Sequence, residues 1–114
     1  MRDARERLRD MQEAIERIER YVDQGRATFD QDELIQVWVV HHLQIIGEAV
    51  VALPTELRDA APTIPWRKII GMRNILVHHY FAIDRQVVWD VVAYELPALK
   101  AAVLALLAQP DAQP

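Results

Sequence analysis

The sequence predicts an all-α fold, a bundle of four main helices plus one short helical turn, and three observations lead there. Apolar residues recur at helical spacing through four segments, near residues 2–24, 31–53, 66–79 and 85–108. Gly25, the prolines from Pro54 to Pro65, and Asp84 punctuate the chain between those segments. No stretch carries the apolar/polar alternation of a half-buried strand. Residues 1–108 read as one domain, and residues 109–114 as a disordered tail.

In the first segment Ala4, Leu8, Met11, Ile15, Ile18 and Val22 step by 4, 3, 4, 3 and 4, a heptad-like seam suited to packing along other helices. Opposite charges four apart, Asp3/Arg7, Glu13/Arg17 and Glu16/Arg20, support its solvent face. The arginines here are matched by acids, which favours a solvated face over an RNA-binding helix. Gly25 ends this helix, and Asp30 with Glu33 forms a capping-box-like start to the second. That second helix is apolar on most sides, so it is expected to be buried on several of them, within the bundle or against another chain. Its polar exceptions are Gln36, His41, His42, Gln44 and Glu48. His41 and His42 are adjacent and point about 100° apart, a poor arrangement for a shared metal. Glu48 reads either as a rim residue or as a buried carboxylate orienting an arginine of the third helix. Thr55 is expected to cap a short turn, Glu56 to Ala60.

The last helix, Arg85 to Ala108, presents Val88, Trp89, Val92, Leu96, Leu99, Val103 and Leu106 to the core, and Pro97 should kink it near Ala93 to Leu96. The absence of cysteine excludes thiol catalysis, disulfides and zinc-thiolate sites. The chain is 52 % apolar, yet His and charged residues interrupt every run that approaches the ~18 residues of a membrane span. The first residues carry no signal-peptide core, so a cytoplasmic protein without a membrane partner is expected. A net charge of −4 argues against a dedicated nucleic-acid coat. Locally the balance reverses, because residues 66–85 hold Arg67, Lys68, Arg73 and Arg85 against Asp84 alone.

The stretch Trp66-Arg67-Lys68-Ile69-Ile70-Gly71-Met72-Arg73-Asn74-Ile75-Leu76-Val77-His78-His79-Tyr80-Phe81 carries the chemistry. Pro65 suits a helix start, and Ile69/Met72/Leu76 and Ile70/Val77 form two adjacent apolar rows. Arg73 sits in the second row. A guanidinium there must meet a carboxylate, a carbonyl or an anionic ligand. At about 100° per residue Tyr80 lies about 20° from Arg73, whereas His78 lies about 140° away. For these groups to act on one ligand, either the helix unwinds near Val77 to Tyr80 or a second chain supplies part of the site. Asp84 offers an N-cap that places a break near residues 79–83. Neither a His-Glu-x-x-His motif nor a glycine-rich phosphate loop occurs.

Arg73, four intervening residues, His78, one residue, then Tyr80 is similar to the signature of HEPN-domain proteins, in particular the HepT-like toxins of type VII toxin-antitoxin systems. Leu43 to Ala49, Trp66 to Ile70, Gly71-Met72-Arg73-Asn74, Tyr80-Phe81, Ile83-Asp84 and Val88-Trp89 resemble that family's usual text, so the likeness covers nearly the whole chain. It implies a HEPN-type helical bundle that pairs into a homodimer, with Arg73 and His78 of both subunits lining one cleft. It also implies a metal-independent endoribonuclease toxin, with RNA as substrate, no cofactor, and an MNT-type nucleotidyltransferase antitoxin that attaches AMP to Tyr80. His79 stands at the variable position of the motif. Imidazole and guanidinium suit that chemistry: a base for the 2′-hydroxyl, an acid for the leaving oxygen, a cation for the phosphorane. Asn74 either meets a phosphate oxygen or fixes the helix end. Tyr80 either packs in the core or faces the cleft beside Arg73. The rival reading is a non-catalytic helical partner, docking a nucleotidyltransferase or binding its substrate.

Overall fold

A computed structural model describes residues 3–71, 77–78 and 82–109, with the backbone alone at Val77, His78 and Ala82. Helix α1 spans Ala4–Val22, opened by the Asp3 carboxylate accepting from the Glu6 amide. Its seam is the expected one: Leu8, Met11, Ile15 and Ile18 are buried, joined by Ala14. Arg17 and Glu13 form the predicted surface pair.

Between Gly25 and the second long helix the chain departs from expectation. Gly25 adopts φ 100°, a conformation natural to glycine, and a six-residue helix follows, α2 (Arg26–Gln31). Two apolar residues in six, Ala27 and Phe29, give no periodic signal, yet α2 fully buries Phe29, whose ring lies 5.4 Å from that of Trp89. The cap of helix α3 (Glu33–Val51) is therefore Asp32 and not Asp30; its Oδ1 accepts from the Leu34 and Ile35 amides. Asp30 instead lies inside α2, paired with Arg26 at 3.1 Å.

Helix α3 packs chiefly on α1 and buries Ile35, Val39, Val40, Leu43, Ile46, Ala49 and Val50. The short helix α4 is Thr55–Asp59; Pro54 holds the cap position and no side-chain bond is made there, so Thr55 opens the helix without capping it. Helix α5 (Trp66–Gly71) lies across α3. Contrary to the absence of strand signal, a two-residue antiparallel ladder joins β1 (Val77–His78) to β2 (Ala82–Ile83), pairing Val77 with Ile83 and His78 with Ala82. Two-residue strands are too short to display a period.

The final helix, α6 (Arg85–Ala108), begins at Asp84, whose carboxylate accepts from the Val87 amide as predicted. Its kink takes the form of a π-helical turn over Val91–Glu95, where the Leu96 amide reaches back to the Val91 carbonyl. Pro97, one residue on, has no amide proton, and in a regular helix its ring would press on the Ala93 carbonyl; the widened turn lies over that position. Val88, Val92, Leu96, Leu99, Val103 and Leu106 are buried as expected, and Trp89 is half-buried. A Lys100–Glu19 pair at 2.9 Å ties α6 to α1.

Averaged along their length, α3 and α6 are apolar and long enough to cross a bilayer, despite the interruptions that argued otherwise from the sequence. In the bundle each spends much of that apolar surface on the shared core. Of the expected tail, Gln109 is described, its carbonyl accepting from the Arg5 guanidinium at 3.2 Å; residues 110–114 lie outside the described residues.

Candidate active-site region

The motif segment is launched by α5, and the launch point is fixed by Trp66. Its indole Nε1–H donates to the carbonyls of Arg58 (2.9 Å) and Ala61 (3.0 Å), which clips the start of α5 to the end of α4. Ile69 is buried beneath, and its carbonyl passes close to α3 at Gly47, where an added Cβ would sit 3.6 Å from it. A side chain larger than alanine at position 47 would lift α5 off α3. Lys68 reaches Glu95 of α6 at 2.5 Å, so α5 is held from both sides.

The helical part of the motif has ended before Val77, because His78 lies in an extended strand paired with Ala82. That decides one of the two geometric options left by the sequence: the chain is no longer helical at Val77, so the 140° separation of a straight helix does not apply to His78. Arg73, Asn74, His79 and Tyr80 lie outside the described residues, and of His78 the backbone alone is placed. Glu48 is exposed on α3, one residue beyond Gly47, so the single chain places it at a rim and not in a buried position.

The histidines of α3 divide their roles. His42 is buried, its Nδ1–H donating to the Trp38 carbonyl at 2.8 Å and its ring 4.3 Å from the indole. Burial lowers its pKa from the ordinary 6.5, and the carbonyl bond opposes that shift only in part. Exposed His41 stands edge-on to it at 5.1 Å.

The local positive charge read from residues 66–85 is partly spent. Lys68 is paired with Glu95, which lies outside that window, and the Arg85 guanidinium donates to the Asp30 carbonyl at 2.8 Å. Arg67 is exposed. Sequence reasoning missed a groove of about 470 Å³ between α5 and α6, lined by Lys68, Val87, Asp90, Val91, Tyr94 and Glu95. The signal for it was Pro97, whose turn leaves Tyr94 75 % exposed.

With a motif arginine two residues beyond α5 and a motif histidine on a strand immediately downstream, the profile of "Ribonuclease HepT-like" proteins matches residues 11–106. The chain belongs to the HepT-like ribonuclease family. Among its relatives is a probable ribonuclease HepT of Thermococcus cleftensis, 38 % identical over 100 residues, which cover 87 % of this chain and 91 % of that one. A putative RNase of Caldanaerobacter subterraneus is 36 % identical over 97 residues, or 85 % and 87 % of the two chains. A Methanocaldococcus jannaschii protein described as a gamma-glutamylcyclotransferase and putative RNase is 35 % identical over 111 residues. The alignment covers 96 % of this chain but half of that relative, so the likeness reaches one part of a longer protein. No solved structure matches the chain significantly.

Proposed function

We propose that this chain is the toxin of a toxin-antitoxin pair, a cytoplasmic, metal-independent endoribonuclease acting as a homodimer. The observation that carries the reading is the end of the motif helix before Val77, with His78 on an extended strand, in a chain of the HepT-like ribonuclease family. A helix would hold His78 far around its axis from Arg73; a strand frees the imidazole from that constraint.

In this reading Arg73 binds the scissile phosphate and His78 moves protons. One imidazole takes the proton from the 2′-hydroxyl as its oxygen attacks phosphorus. A second, protonated imidazole gives its proton to the departing 5′-oxygen, and the products carry a 2′,3′-cyclic phosphate and a 5′-hydroxyl. Two imidazoles are supplied when a second copy of the chain contributes its own His78. The guanidinium stabilises the crowded phosphorane, whose charge exceeds that of the ground state. Asn74, His79 and Glu48 support substrate placement.

Tyr80 is the regulatory position. AMP attached to its hydroxyl by a nucleotidyltransferase antitoxin adds bulk and an anion close in sequence to Arg73, where it competes with the RNA backbone. The test is cleavage of a defined RNA by the purified protein with and without EDTA. Cleavage is expected in both, with Arg73→Ala and His78→Ala each at least about a hundredfold slower and unchanged in helical content. Wild-type rates in folded His78→Ala refute the assignment.

A further inference from the structure

We propose that the groove between α5 and α6 receives one base of the RNA beside the cleaved phosphate, and that it selects guanine. The inference rests on the ribonuclease reading above and adds to it a base-reading site outside the motif.

The groove offers a heterocycle both volume and a stacking surface. At about 470 Å³ it is within the range of small-molecule sites, and half-buried Val87 with buried Val91 gives it an apolar lining. Tyr94 lines it too while 75 % exposed, and among the described Phe, Trp and Tyr side chains it is the one that stands mainly in solvent. Exposed aromatic rings are what single-stranded RNA bases stack on.

Two carboxylates supply the reading edge, and the π turn is what brings them together. Asp90 and Glu95 are five residues apart, which in a regular helix sets them about 140° from each other. Across the widened turn Val91–Glu95 both line the same groove. Asp90 Oδ1 accepts from the Gln86 amide at 2.8 Å and Glu95 Oε1 from Lys68 at 2.5 Å. A carboxylate can accept more than one hydrogen bond, so both have acceptor capacity for a ligand.

This charge pattern favours a base over a phosphate. Lys68 is the one cation against two carboxylates and is already paired with Glu95, so a phosphate in the groove would meet net negative charge. A base brings none. Guanine carries two adjoining donors, N1–H and the 2-amino group, which match two acceptors. Adenine and cytosine set an acceptor beside their amino group, and uracil flanks its single donor with two carbonyls.

The walls of the groove lead into the motif at both ends. Helix α5 stops two residues before Arg73, and α6 begins directly beyond the strand that pairs with His78. A nucleotide adjoining the scissile one is the part of the substrate this groove can reach.

The test compares two RNA heptamers, one all uracil and one uracil with a single central guanine, as cleavage substrates of the purified chain. The guanine heptamer is expected to show a KM about tenfold lower, in line with the energy of one stacked and hydrogen-bonded base. Tyr94→Ala and Asp90→Ala, each with helical content unchanged, should bring the two KM values within about twofold, whereas Tyr94→Phe keeps the ring and the preference. Inosine in place of the guanine, which lacks the 2-amino group, should lose most of the advantage in the wild type and change nothing in Asp90→Ala. Equal KM values in the wild type, or a guanine preference that survives Tyr94→Ala, overturn the subsite and leave the ribonuclease reading standing. Should neither heptamer be cut, fluorescence anisotropy of the labelled heptamers separates the two claims. Tighter binding of the guanine heptamer, lost in Tyr94→Ala, keeps the subsite while cleavage falls; equal binding removes the subsite as well.

Discussion

The scaffold and the motif segment are built by different means. Helices α1, α3 and α6 are long and hold one another through a continuous apolar core running from Leu8 to Leu106. Among the described residues between Trp66 and Asp84 the elements are a six-residue helix and two two-residue strands, and Ile69 is the one buried side chain of α5. Ile69 is in the core and Trp66, Ile70 and Ile83 pack against it, and what adds direction is polar: the Trp66 indole on two carbonyls, Lys68 on Glu95, and Asp84 on the Val87 amide. Apolar burial is strong but indifferent to direction, whereas a hydrogen bond fixes an orientation. A segment that must present particular side chains is therefore tethered by donors and acceptors to a frame stabilised by burial.

This contrast can be broken by experiment, beginning with the frame. Ile18→Ala removes a fully buried side chain from α1 and is expected to cost roughly 2–5 kcal/mol in urea unfolding. The molecules that remain folded should cleave RNA at the wild-type rate per folded chain. Cleavage that falls in step with Ile18→Ala even under fully folded conditions would show that scaffold and site are not separable.

The converse substitution is Trp66→Phe, which keeps an aromatic ring and removes both indole hydrogen bonds. We expect a loss of about 1–2 kcal/mol in stability, since each such bond contributes about 1 kcal/mol net. Cleavage should fall by roughly tenfold or more, because a small misplacement of reacting groups is costly. A loss in stability with no change in cleavage would place the tether in the scaffold instead.

The smallest effect concerns His42, where a polar group is buried inside the frame. Its folded-state pKa is lowered, so the unfolded chain binds the extra proton more readily. The stabilisation is complete above the unfolded value near 6.5 and is lost as pH falls through it toward the lower folded value. Replacing His42 with Gln should flatten the difference in unfolding free energy between pH 7 and pH 5 relative to wild type. An identical slope in both proteins would assign the acid sensitivity to other groups.

What was legible in the sequence follows the same division. The α1 seam, the Asp84 cap and the Pro97 kink could be read because each is a strong local rule: a period, a side-chain acceptor, a missing amide. Helix α2 was hidden because Phe29 alone among its residues is buried, and its presence moved the α3 cap from Asp30 to Asp32. The β1–β2 ladder was hidden because it is made of backbone pairing two residues long. Glu48 stood between two readings because its burial depends on what packs beside it, which one chain's periodicity does not encode. The motif arginine and histidine were recognisable by spacing, but a helical wheel could not tell that the chain is extended at Val77 and His78.

The π turn of α6 has a consequence for how that helix counts. Val88, Val92 and Leu96 succeed one another by four and four, then Leu99, Val103 and Leu106 by three, four and three. Two successive steps of four drift about 80° around a regular helix, enough to carry the later residues off the core. The turn at Val91–Glu95 takes up that drift, holding both halves of the helix in phase with α1 while containing one residue more than a regular helix of the same reach. The surplus residue is seen on the outside: it sets Tyr94 into the solvent beside Lys68 and the groove along α5. Shortening the turn by one residue would leave the core pattern of 3, 4, 3 intact and take away that outward step, so the surface next to the motif can change by an insertion that the interior does not register.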